Sequence, residues 1–216
     1  MAGKITALRV QKKRRNRVNV YVDGEFAFGL QDVLAAKLSV GQELGDDEIE
    51  ALKRQDSVES AYEKALYYLS YRPRSEQEIE RYLQGKGLDE EATATVLDRL
   101  RHARLVGDAE FAEFWVENRE TFRPRGPWAL RAELRQKGVA DEIIDQALEA
   151  VDEEKSAMEA AERVVHRFAR LDADTFWRRL MGYLQRRGFG YGVSRRVVDE
   201  MWKQVAGDAD KDAEPR

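Results

Sequence analysis

The first thirty residues alternate between apolar and polar positions, which is the two-residue period of a half-buried β-strand. Valines occupy every second position over 18–22, and phenylalanine and leucine do so over 26–30. Asp23-Gly24 separates the two segments and favours a type I′ hairpin, because both central residues of that turn need positive φ. Residues 5–11 can supply a third strand. The pattern predicts a small antiparallel β-sheet covered by one or two helices that carry Leu34, Leu38, Leu44, Ile49 and Leu52.

From about residue 57 the apolar positions recur every three to four residues, as in amphipathic helices, and a three-helix unit then repeats. Arg72-Pro73-Arg74 recurs as Arg123-Pro124-Arg125. The turn Lys86-Gly87-Leu88 recurs as Lys137-Gly138-Val139 and again as Arg187-Gly188-Phe189. The third unit lacks the Arg-Pro-Arg element.

This repeat predicts a mainly α-helical protein, in which tandem three-helix units form an elongated, curved array behind the β-sheet module. Each unit is too small to bury its apolar face well alone, so stacked neighbours continue the core. We expect five segments: an N-terminal β module with a covering helix (1–56), three repeats (57–107, 108–154 and 155–206) and a disordered tail (207–216).

The composition excludes several kinds of chemistry. The 216 residues contain no cysteine, and their two histidines, His102 and His166, lie far apart. We therefore expect no disulfide, no metal site, no cofactor and no catalytic residue, and the chain contains no P-loop. No apolar run approaches the ~20 residues that cross a bilayer, and no export signal follows the N-terminus. We expect a cytoplasmic protein that is not an enzyme and has no membrane partner.

The charges are segregated along the chain, although the net charge is only −4. Residues 1–22 hold seven basic residues and no acid, 43–63 are mostly acidic, and 163–196 carry nine arginines. Such sectors can steer a charged partner. The connection between the first two strands is expected to form a basic tip with Lys12, Lys13, Arg14, Arg15 and Arg17.

The two Arg-Pro-Arg elements have two explanations, and both remain open. Pro73 and Pro124 end the preceding helix and pre-set the chain before the next one. Their flanking arginines would cluster beside helix N-termini, which favour anions, and could contact a partner. Lys86, Lys137 and Arg187 also have a structural explanation, because a cation favours a helix C-terminus.

These residues resemble the RecX family of bacterial regulatory proteins. The resemblance rests on three segments: Ala65-Leu66-x-x-Leu69-Ser70-x-Arg72-Pro73-Arg74-Ser75-x-x-Glu78-Ile79 with Leu83 and Lys86-Gly87; Leu105-Val106-Gly107-Asp108-x-x-Phe111-Ala112-x-x-Trp115-Val116-x-x-Arg119; and Gly126-x-x-x-Leu130-x-x-Glu133-Leu134-x-x-Lys137-Gly138. It covers 57–150 by motif and 151–206 by repeat spacing, and the β segment is similar to an extra module of longer members. Gly107 departs from the family pattern, which usually shows Asn or Asp there.

The resemblance implies a function that the composition does not show. RecX proteins bind the RecA recombinase, mainly as its filament on single-stranded DNA. They lower its ATPase and strand-exchange activities, and they block filament growth or favour disassembly. The resemblance implies a regulator of recombination and DNA repair without enzymatic activity. We expect a monomer that binds RecA and has at most weak affinity for DNA.

Charge position, and not a carry-over of family contacts, selects the candidate contact residues. Arg131 and Arg135 share one face of a second-repeat helix, and Arg178 and Arg179 lie on the corresponding helix of the third repeat. The candidates for contact with RecA or DNA are ten arginines: Arg72, Arg74, Arg123, Arg125, Arg131, Arg135, Arg178, Arg179, Arg186 and Arg187. The alternatives are a helical-repeat protein that binds DNA directly and acts without RecA, and a scaffold for another partner. The near-neutral charge argues against the DNA-binding alternative.

Overall fold

The computed structural model describes residues 3–212, which begin with a four-stranded antiparallel sheet. The strands lie in the order β3-β2-β1-β4, and their bounds are Gly3–Val10 (β1), Arg17–Val22 (β2), Glu25–Gln31 (β3) and Glu43–Leu44 (β4). The fourth strand is absent from the sequence prediction. A strand of two residues is too short to show alternation, and it forms only because β1 offers an open edge to pair with.

The predicted hairpin between β2 and β3 is confirmed. Asp23 and Gly24 have φ values of 51° and 91°, which a type I′ turn requires. Alternate residues of the strands form a core with the short helix α1 (Asp32–Ala35). Its buried apolar members are Ile5, Val18, Val20, Phe28, Leu30, Leu34, Ala35 and Leu44.

One helix, α2 (Asp46–Leu69), runs from the β module into the first repeat. Its sequence contains no glycine or proline to end it, so the boundary expected between residues 56 and 57 falls inside a continuous helix. Ile49 and Leu52 pack against the sheet core. Ala61 and Ala65 are buried in the core of the first repeat.

The remaining helices complete three groups of three, α2–α4, α5–α7 and α8–α10, as the repeat predicts. Each group has its own hydrophobic core. The helices are α3 (Glu76–Gln84), α4 (Glu90–His102), α5 (Asp108–Phe122), α6 (Pro127–Gln136), α7 (Asp141–Glu149), α8 (Glu153–Val165), α9 (Ala173–Arg186) and α10 (Tyr191–Asp212).

The middle helix of every repeat ends in the same way. Gly87, Gly138 and Gly188 have φ values of 86°, 82° and 85°. The amide of the apolar residue that follows each glycine donates to a carbonyl five residues earlier, for example from Phe189 to Leu184 at 3.2 Å. This is the Schellman motif of a helix C-terminus. Its left-handed residue is usually glycine, because a Cβ disfavours that backbone conformation. It explains why the glycine recurs at this position.

The described residues divide into two compact units. The first contains residues 3–74 and 78–106, and the second contains 75–77 and 107–212. The second and third repeats therefore belong to one unit. Inside it, the loop before α6 packs on the turn after α9, where the Gly126 amide donates to the Arg187 carbonyl at 3.0 Å.

The helix α10 continues to Asp212, so residues 207–212, for which the sequence predicted disorder, are helical. Each added residue extends an existing helix by one backbone hydrogen bond and needs no apolar contact. Residues 213–216 of the predicted tail lie outside the described part of the chain. Within that part, no helix combines the length and the hydropathy needed to cross a membrane.

Candidate functional site

The ten candidate arginines fall into two classes in the structure. Six of them are held by other groups of the protein: Arg72, Arg74, Arg125, Arg131, Arg135 and Arg187. Four are exposed and have no carboxylate within ion-pair distance among the residues described: Arg123, Arg178, Arg179 and Arg186. The first class builds the fold, and the second class is available to a partner.

Both arginines of the first Arg-Pro-Arg element have partners in the first unit. Arg72 donates from both terminal nitrogens to the Glu78 carboxylate, at 2.9 and 3.2 Å. The Arg74 guanidinium lies 3.9 Å from the ring centroid of Tyr68, which stacks on Tyr82 at 4.3 Å. The loop before α3 is therefore fixed by a bidentate ion pair and by a cation over an aromatic pair.

The equivalent position in the second repeat is organised around Glu133. Its carboxylate accepts from the Trp115 indole and from Arg119 Nε, both at 2.8 Å. Arg125 Nε lies 2.9 Å from the other carboxylate oxygen, in an ion pair that lacks hydrogen-bond geometry. Lys137 lies 5.2 Å from the Trp115 ring centroid. One carboxylate thus forms ion pairs with two arginines, and Arg125 has a structural role.

Arg131 and Arg135 are paired with acids of α7. Arg131 lies 2.5 Å from Asp145, and Arg135 donates to both oxygens of Asp141 at 2.6 and 3.1 Å. The hydrogen bond from Arg135 lowers the pKa of Asp141 below its ordinary value. These ion pairs tie α6 to α7, and they lower the charge that the shared arginine face presents to a partner.

Arg187 links the second and third repeats within the second unit. Its guanidinium donates to the Pro124 carbonyl at 3.0 Å and lies 4.9 Å from the Tyr183 ring centroid. Lys86 lies 5.3 Å from the Tyr82 ring centroid at the equivalent place in the first repeat. The position is therefore a structural cation in both repeats, in agreement with its explanation as a helix-end residue.

Three unpaired arginines of the predicted set lie together on α9. Arg178, Arg179 and Arg186 fall within about 100° of one another around the helix axis. Asp172 fixes the start of α9, because its carboxylate accepts the Thr175 amide at 3.0 Å. That hydrogen bond lowers the pKa of Asp172. The outer face of α9 thus presents three unpaired guanidinium groups on a well-defined helix.

The expected basic tip of the sheet is smaller than the sequence indicates. Lys12, Lys13, Arg14 and Arg15 are exposed in the β1–β2 connection. Arg17 is instead the first residue of β2, and its side chain donates to Asp56 at 2.7 Å and to the Gly29 carbonyl at 3.1 Å. The prediction of Arg17 as a tip residue is therefore wrong, since α2 supplies an acid that the local sequence does not show.

Comparison with protein families assigns the modules of the chain in order. The match to the "Regulatory protein RecX N-terminal domain" covers residues 3–45. The first, second and third three-helix domains of RecX match residues 61–100, 108–148 and 152–198. The four matches follow the β module and the three repeats along the chain.

Similar proteins carry the same description. The chain is 33% identical over 208 residues to "Regulatory protein RecX" of Oceanobacillus iheyensis, covering 92% of this chain and 76% of the relative. It is 38% identical over 161 residues to the RecX of Amycolatopsis mediterranei, covering 73% of this chain and 92% of the relative. A crystal structure of regulatory protein RecX aligns with a TM-score of 0.75 and 30% identity, over 91% of this chain and 99% of the other.

Proposed function

The chain belongs to the RecX family of regulatory proteins, and on that premise we propose that it binds the RecA recombinase and its filament on single-stranded DNA. Binding lowers the ATPase and strand-exchange activities of RecA and limits filament growth, and so modulates recombination and DNA repair in the cytoplasm. The observation that carries the proposal is the ordered match of all four RecX domains over residues 3–198. The protein acts by binding and catalyses no reaction.

The exposed arginines of α9 are the proposed contact surface for the filament. Arg178, Arg179 and Arg186 are exposed and have no ion-pair partner in the described residues, so a partner carboxylate or phosphate would not have to displace an internal acid. Arg123 is equally available at the end of α5. A chain of similar units can also touch several protomers of a filament, which raises avidity without any single strong contact.

The test is the rate of ATP hydrolysis by RecA on single-stranded DNA, measured while the intact chain is titrated in. The proposal predicts that hydrolysis falls and reaches a plateau as the protein saturates the filament. A rate that stays constant at saturating protein would overturn the proposal. Repeating the titration after RecA has been assembled separates inhibition of the filament from inhibition of its growth.

A further inference from the structure

We propose that one face of α2 is a binding track for single-stranded DNA, which the protein can occupy without RecA. The track lies in the first unit, and the α9 arginines belong to the second. It adds a second ligand to the proposed function and does not depend on it. Six residues form its centre line: Lys53, Ser57, Ser60, Lys64, Tyr67 and Tyr71.

The spacing of these residues places them in one row. They recur every three or four positions, so their directions fall within about 80° around the helix axis. Five of them lie in α2, and Tyr71 follows its C-cap Ser70. From Lys53 to Tyr71 the row is about 27 Å long. Cations and hydroxyl groups occupy its first two thirds, and tyrosines occupy its end.

The first part of the row is the floor of a basic cleft of about 500 Å³. Arg14 of the β1–β2 connection and Lys86 of the α3–α4 turn also line it, together with Arg17. Asp56 is the one acid among the lining residues, and Arg17 neutralises it at 2.7 Å.

The cations that remain in the cleft are suited to phosphate. Arg14 and Lys64 are exposed and have no ion-pair partner in the part of the chain that the structure describes. Among the described residues, Lys53 forms an ion pair only with Glu50, three residues earlier, and both side chains are exposed. Contact between an unpaired surface cation and a phosphate is favourable, because it releases the counterions that are condensed on the nucleic acid.

The second part of the row exposes aromatic rings. Tyr67 and Tyr71 are 64% and 65% exposed, and their rings meet edge to face with centroids 5.1 Å apart. The Tyr71 hydroxyl donates to the Tyr67 hydroxyl, which holds the pair together. Next to them, Tyr68 and Tyr82 stack between Arg74 and Lys86. Exposed rings beside a row of cations are the arrangement by which proteins bind single strands, with bases on rings and phosphates on cations.

The tyrosines give the track a preference for single-stranded DNA. The bases of a duplex stack on one another, so their faces are not available to the Tyr67 and Tyr71 rings. A duplex could use the cations alone. The track therefore predicts stronger binding of a single strand than of a duplex of the same length at the same salt concentration.

The experiment measures fluorescence anisotropy of a labelled oligothymidylate of about 30 nucleotides, with the intact chain and without RecA. Replacing both tyrosines, Tyr67→Ala with Tyr71→Ala, should weaken binding about thirtyfold or more, because each of the two lost base–ring stacks contributes about fivefold or more. The matched control is Tyr67→Phe with Tyr71→Phe, which keeps both rings and should bind nearly as wild type. Loss of binding in both double variants would show a structural role for the hydroxyl pair and would overturn the stacking proposal.

Salt dependence tests the cations separately. Neutralising Arg14 and Lys64 with glutamine should reduce the slope of log K against log salt by about 1.4, since each lost phosphate contact on a single strand removes about 0.7. Lys37→Gln with Lys155→Gln changes the net charge equally outside the track and should leave the slope unchanged.

The proposal would be overturned if the two double variants had equal slopes of log K against log salt. Equal affinity for a single strand and for a duplex would overturn it as well. These measurements contain no RecA, so they fail or succeed independently of the ATPase test.

Discussion

Gly188 provides the sharpest test of the packing between the second and third repeats. It has φ 85°, and a Cβ added there would meet the backbone nitrogen of Ala129 and come within 2.5 Å of the Ala129 side chain. Gly87 occupies the equivalent turn of the first repeat with φ 86°, and nothing lies within 4 Å of its Cβ position. The two substitutions Gly188→Ala and Gly87→Ala therefore place alanine in the same backbone conformation. They differ in whether other atoms already fill the space that the new Cβ would take.

The expected magnitudes follow from that difference. An alanine held in the left-handed region costs about 1–2 kcal/mol, which both variants share. Forcing a methyl group into a filled site costs about 1–3 kcal/mol more, because the atoms that it meets include backbone and cannot move cheaply. We expect about 1–2 kcal/mol for Gly87→Ala and about 2–5 kcal/mol for Gly188→Ala.

Guanidinium unfolding measures both effects when it is followed by two probes. All four tryptophans lie in the second unit, at positions 115, 128, 177 and 202, so their fluorescence reports on the unit that contains Gly188. Far-UV circular dichroism follows both units. Gly188→Ala should shift the fluorescence transition, and Gly87→Ala should change only the dichroism transition. Equal losses of stability in the two variants would refute the close packing of this turn on α6.

Two further predictions concern single side chains. The pKa of Asp172 is depressed by the Thr175 amide, so its stabilising effect is complete above its ordinary value of 3.8 and is lost as the pH falls through the lower folded value. Asp172→Asn keeps an equally good cap, so the melting temperature of this variant should match that of wild type at pH 7. Below about pH 4 the melting temperature of the variant should fall less than that of wild type. Parallel curves of melting temperature against pH for the two proteins would contradict this. Arg17→Ala should destabilise the first unit by about 1–3 kcal/mol, because it leaves the half-buried Asp56 carboxylate without its cation. Arg15→Ala, at an exposed neighbour, should change stability by less than about 0.5 kcal/mol in the same dichroism assay, and equal effects would contradict the role of the ion pair.

Local chemistry explains the parts of the fold that the sequence predicts well. Asp23-Gly24 specifies a turn because few residues accept positive φ, and the recurring Gly87, Gly138 and Gly188 mark helix ends for the same reason. The sequence is also compatible with one continuous helix α2, since no helix-breaking residue separates Asp46 from Leu69. A change in periodicity near residue 57 indicated a boundary where only the packing partner of the helix changes.

The candidate site was harder to predict, because an arginine's role depends on which acid lies opposite it in space. Glu133 is 14 residues from Arg119, and Asp56 is 39 residues from Arg17, so neither ion pair has a local signal. By contrast, the row on α2 had a sequence signal, because lysine, serine and tyrosine recur at helical spacing from Lys53 to Tyr67. The same periodicity also marks the buried face of the helix, through Ala61 and Ala65.

Inhibition of RecA ATPase on single-stranded DNA tests most directly whether the chain regulates RecA by binding its filament. Wild-type protein should inhibit to a plateau. Arg178→Glu with Arg179→Glu should need about tenfold more protein for half-inhibition, since reversed charges in an interface repel the partner. The equally charged control Arg167→Glu with Arg170→Glu should inhibit nearly as wild type. An unchanged ATPase rate at saturating wild-type protein would contradict regulation of RecA by this chain.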